Sequence, residues 1–115
     1  MTISTLPAVV QLRYAITASV RIRMDAFKVD GTPFDLTPYV VTAPFVADSG
    51  RPAPIGSWTL DIEPSSIVLS LSEVDTAALA PDGKSMTWHW NVWLDHATVP
   101  ERILFARGDL GLVQG

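Results

Sequence analysis

The sequence predicts an all-β domain: a single antiparallel β-sandwich of about seven strands with one short helical connection. Three observations lead there. Apolar and polar residues alternate at period two in several separate stretches, as they do when successive side chains point to opposite faces of a sheet. Turn residues punctuate these stretches at roughly ten-residue spacing, the pattern of a sandwich. The 115-residue chain is 48% hydrophobic and 17% charged, enough apolar material for one ordered core.

The strongest alternation is Met86 to Leu94. Met86, Trp88, Trp90, Val92 and Leu94 share one face, and Thr87, His89, Asn91 and Trp93 share the other. Three of the four tryptophans lie here. A buried indole removes about 150–250 Å² from water, an upper value of about 4–6 kcal/mol per ring. This stretch is therefore the expected central strand.

The other elements follow in chain order. Met1 to Leu12 carries Ile3, Leu6, Val9, Val10 and Leu12 without a clean period and with Pro7 among them, so residues 1–12 read as an N-terminal arm and residues 13–115 as the sandwich. No basic leader precedes an apolar run in this arm, so no secretory signal is expected. Tyr14 to Met24 alternates as one long amphipathic strand. Asp30-Gly31 supplies a tight turn, and Pro33 ends pairing. Phe34 to Thr37 resumes until Pro38. Tyr39 to Ala47 is β-branched and holds Pro44, which suits an edge strand.

Asp48 to Gly56 is rich in proline and glycine and reads as a loop. Ser57 to Glu63 places Trp58, Leu60 and Ile62 inward. Ser66 to Ser72 does the same with Ile67, Leu69 and Leu71. Ser72 then caps a short helix with Asp75 in its first turn, stopped by Pro81-Asp82-Gly83. After the Trp strand, Arg102 to Ala106 forms another strand, and Gly108-Asp109-Leu110-Gly111 bends into a last short one ending near Val113.

Residues that could do chemistry are few. The chain has no cysteine, which excludes disulfides, thiolate metal sites and thiol catalysis. It has no Gly-rich phosphate loop and no Gly-x-Ser-x-Gly elbow. His89 lies on the polar face of the Trp strand and His96 in a turn beside Asp95, a poor arrangement for a metal. Asp61 and Glu63 share a strand face as glycosidase carboxylates do, but acids on a wet face are ordinary. Neither an enzyme, a cofactor nor a metal site is expected.

The net charge of −4 argues against nucleic acid, and no apolar run is long enough for a transmembrane helix. The charge is unevenly spread. Up to Lys28 four cations meet one acid, giving +3, while the remainder has four cations and eleven acids, giving −7. Such a basic end is a solvated face or docks on an acidic neighbour. Trp93 breaks the polar face of its strand. An indole there is covered by a loop of its own chain or belongs to a contact surface, for protein or for sugar.

Asp30-Gly31-Thr32-Pro33-Phe34-Asp35-Leu36-Thr37 resembles the G-x-P-x-D-L-T opening of small β-sandwich domains in tailed-phage virion proteins. Trp88-x-Trp90-x-Val92-x-Leu94, followed by Arg102-x-Leu104-x-x-x-Gly108, is similar to the family's closing pattern. Over about residues 14–113 the chain resembles the immunoglobulin-like β-sandwich of tail-fibre and collar-type minor tail proteins. The N-terminal domains of baseplate upper proteins are a looser likeness. The second glycine, Gly111, departs from that pattern.

The resemblance implies a virion location and a non-enzymatic structural role on the tail, collar, baseplate or capsid surface. It implies other virion structural proteins as partners, and a homo-oligomer or multiple copies on the particle. The candidate contact residues are Ile3, Leu6, Val9, Val10 and Trp93. The alternative is a carbohydrate-binding module for host attachment, with exposed aromatics as stacking platforms.

Overall fold

A computed structural model describes residues 8–28, 30–46 and 56–114. Its elements are β1 (Ala8–Ala15), β2 (Val20–Asp25), β3 (Tyr39–Thr42), β4 (Phe45–Val46), β5 (Thr59–Glu63), β6 (Ser66–Leu71), α1 (Glu73–Leu79), β7 (Met86–His96) and β8 (Arg102–Val113). They form two sheets. One has the order β1-β8-β7-β3, with β4 also on β7, and the other the order β2-β6-β5. The fold is all-β with one short helix, as the sequence indicates.

The Trp strand is β7, and it lies between β8 on one side and β3 and β4 on the other. Trp88, Trp90, Val92 and Leu94 are fully buried. They meet Val20, Ile67, Leu69 and Leu71 of the second sheet in a single apolar cluster, which Phe34, Leu36, Phe45 and Trp58 extend. Trp58 and Trp90 pack edge to face with centroids 5.7 Å apart, a geometry favoured by the ring quadrupoles.

Several expectations change. The long strand from Tyr14 to Met24 is two strands in different sheets. Between them Thr17 takes φ 75°, and the Ala18 N–H donates to the Ala15 carbonyl at 3.0 Å. The alternation runs through this turn unbroken, because both strands turn their apolar side to the same core. The boundary expected after residue 12 falls inside β1.

The sheet is not wholly antiparallel either. β1 pairs parallel to β8, with Val10 opposite Gly108 and Leu12 opposite Leu110. Parallel neighbours need a crossover, and here most of the chain supplies it. The strand expected over Tyr39 to Ala47 is divided into β3 and β4, with Pro44 between them, and both sit beside β7 as edges. Phe34 and Leu36 are buried in extended chain outside the named strands; their N–H groups donate to Ala26 and Pro64 carbonyls. Ile62, expected inward, is 42% exposed.

Gly108 to Gly111 does not bend into a new strand, for β8 runs through it. Gly108 is needed for closeness instead. A Cβ there would lie 1.8 Å from the Val10 carbonyl oxygen and 2.8 Å from the Trp90 ring. The Asp48–Gly56 loop lies outside the described residues except for Gly56.

The turn and helix signals hold. Gly31 has φ 88°, and Asp30 Oδ1 accepts both the N–H and the hydroxyl of Thr32. Ser72 and Asp75 form a reciprocal capping box on α1.

Candidate interaction surface

The outer face of the β1-β8-β7 layer gathers the chemistry-bearing residues. Strand pairing builds it in cross-strand rows. Val9, Arg107 and Asn91 form one row. Gln11, Asp109 and His89 form the next, which β4 extends with Val46. Farther along, Leu104 and Trp93 are opposite, then Arg102 and Asp95. A register shift between Val92 and Trp93 keeps these later rows on the same face.

Val9, His89, Trp90, Asn91, Arg107, Gly108 and Asp109 line a shallow cleft of about 290 Å³. Within it His89 Nδ1 and Asp109 Oδ1 lie 2.5 Å apart, each side chain 42% exposed. A polar contact this open contributes at most about 1 kcal/mol to stability. Among the described residues that line the cleft, the other polar side chains beside this pair are the Asn91 amide and the Arg107 guanidinium, and none is a nucleophile.

Trp93 is half-buried. The covering group is a side chain of its own chain, with the Arg102 guanidinium carbon 4.2 Å from the ring centroid. Arg102 also pairs with Asp95, Nε to Oδ1 at 3.2 Å. This salt-bridged cation over an indole is a compact cation–π arrangement. Sequence spacing alone does not show it, because Arg102 arrives from the next strand.

Val9 is 63% exposed on the outer face of β1, and Val10 packs on the core side. Ile3 and Leu6 lie outside the described residues. Val9 and Trp93 therefore share a face but belong to separate rows. His89 and His96 stand seven positions apart on one strand, about 23 Å at 3.3 Å per residue. His96 Nδ1 accepts the N–H groups of Thr98 and Val99 in the β7–β8 turn. Glu63 is clamped by Arg23 through two hydrogen bonds of 2.9 and 2.8 Å, which removes it from any acid pair with Asp61. Among the described residues, no group of three or more His, Cys, Asp or Glu side chains could hold a metal ion.

The remaining feature is the open side of β1. Among the described residues no strand pairs with it. Ile16 donates its N–H to the Val113 carbonyl at 2.9 Å, and the Val10 and Leu12 carbonyls point toward Gly108 and Gly111. Backbone groups alternate between the two sides of a strand. Val9, Gln11, Arg13 and Ala15 therefore direct their N–H and C=O groups to the open edge. No protein-family model matches the chain, and no curated protein matches it.

Proposed function

We propose that this chain is a non-enzymatic structural subunit of a tailed-phage virion, an immunoglobulin-like β-sandwich that docks on neighbouring virion subunits. The observation that supports docking most directly is β1. It is an eight-residue edge strand without proline, and its outward residues carry a single charge, Arg13. Soluble proteins ordinarily guard such edges with charges, prolines or bulges. The virion assignment itself rests on the motif resemblance between residues 30 and 108. Two sheets closing on one apolar cluster suit the sandwich.

Purified particles of the phage whose genome encodes the chain, labelled with an antibody against it, test this reading. Negative-stain images should show label at one fixed position on each particle. Unlabelled particles, with the chain recovered only from the soluble fraction, would overturn it.

A second reading, a carbohydrate-binding module, has the outer-face cleft in its favour, where His89, Asn91, Arg107 and Asp109 offer hydrogen bonds beside Trp90. Against it, Arg102 occupies a face of Trp93, and the other three indoles are buried. Glycan titration followed by tryptophan fluorescence separates the two, since a structural subunit gives no response.

A further inference from the structure

We infer that the open edge of β1 pairs antiparallel with the same edge of a second copy, across a two-fold axis at Gln11. The inference rests on the reading of the chain as a docking subunit and names one neighbour.

A two-fold contact requires one surface to complement itself, and this edge does. With Gln11 opposite Gln11, Val9 stands opposite Arg13 and Val10 opposite Leu12. Val9, Gln11 and Arg13 are the residues whose backbone groups point outward, so each of these pairs exchanges N–H···O=C bonds. Val10 and Leu12 already pack on the core side, and their rows continue from one copy into the other. On the outer face the 63%-exposed Val9 gains the aliphatic stem of Arg13. Arg13 never meets its own symmetry mate, and no like charges are opposed. The two five-stranded sheets become continuous through the axis.

The other edges do not offer this. β3 and β4 are short and separated by Pro44. β2 directs Arg21, Arg23 and Asp25 outward, with Arg23 tied to Glu63 of β5 on the far side of β6. β5 carries Asp61 and Glu63 on a five-residue strand. Charge and brevity guard those edges, whereas β1 is long, regular and nearly uncharged.

The test uses the full chain and sedimentation velocity over a concentration series. The wild type should pass from monomer to dimer as concentration rises. Gln11 is exposed and its side chain leaves the core untouched, so Gln11→Lys and Gln11→Glu should keep the wild-type circular dichroism. Each places like charges face to face at the axis, and each should raise the dimer dissociation constant several-fold. An equimolar mixture of the two should restore wild-type dimerisation or better, because Lys then faces Glu. A wild type that stays monomeric up to about 1 mM, the weak limit of specific association, would overturn the contact. So would variants that dimerise like the wild type, or a mixture that restores nothing. Any of these results removes the β1 contact and leaves the virion reading to its antibody labelling.

Discussion

At the scale of single residues, three buried tryptophans differ in what their N–H groups find. Trp88 Nε1 donates to the Leu79 carbonyl at 2.9 Å, tying β7 to the end of α1. Among the described residues, the buried N–H groups of Trp58 and Trp90 have no partner. Trp88→Phe orphans a buried carbonyl, at about 1–3 kcal/mol beyond the lost area, whereas Trp58→Phe discards a donor with no partner among the described residues. Thermal melts should therefore show the larger drop for Trp88→Phe; equal drops would contradict the hydrogen-bond account. Gly108→Ala should be severe, about 3 kcal/mol at the top of the overpacking range, because its Cβ would meet a backbone oxygen. Gly111→Ala, whose Cβ would sit 3.5 Å from the Leu12 carbonyl oxygen, should fall within about 1 kcal/mol of wild type. Denaturant titration of both variants checks the contrast. The burial of Trp88 and Trp90 is legible in the sequence, since alternation states which face is inward. The purpose of Gly108 is not, because a missing side chain looks the same whether it serves a bend or a close approach.

At the scale of elements, α1 is legible because its signals are local: Ser72 accepts the Asp75 N–H at 3.1 Å, and Asp75 accepts the Ser72 N–H at 2.9 Å. Ser72→Ala should cost about 1 kcal/mol, read from the denaturation midpoint. The separation of β1 from β2 is hidden, since the turn at Thr17 leaves the period intact. The parallel pairing of β1 with β8 is hidden too, because it joins residues about a hundred positions apart by no local rule. The end of β3 gives a pH prediction. Burial, then the hydrogen bond from its hydroxyl to Glu101, pushes the Tyr39 phenol up to about 12 from an ordinary 10.0. A group whose proton is held more tightly in the native state contributes stability below its unfolded value and loses it as pH rises through the folded one. Wild-type stability should thus fall between pH 10 and about 12 more steeply than that of Tyr39→Phe. Parallel slopes in alkaline melts would contradict this.

At the scale of the whole molecule, one core joins two sheets, and the chain enters the first sheet at its edge and closes it by placing β8 beside β1. Stability should rest on this core alone, so a chelator is expected to leave the melting temperature unchanged. A large drop would reveal a metal. The all-β class is legible from strand spacing, but the order of the strands is not, because alternation tells which face is buried and never which neighbour a strand has. As inferred above, β1 belongs to its own sheet on one side and offers the other side to a second copy. Residue-resolved amide hydrogen exchange, measured on the full chain dilute and concentrated, tests it most directly. In dilute solution Val10, Leu12 and Tyr14 should be protected while Val9, Gln11, Arg13 and Ala15 exchange fast. At high concentration Val9, Gln11 and Arg13 should become protected as well. Fast exchange of Val9, Gln11 and Arg13 at every concentration would contradict the contact, and fast exchange of Val10, Leu12 and Tyr14 would contradict the place of β1 in the fold.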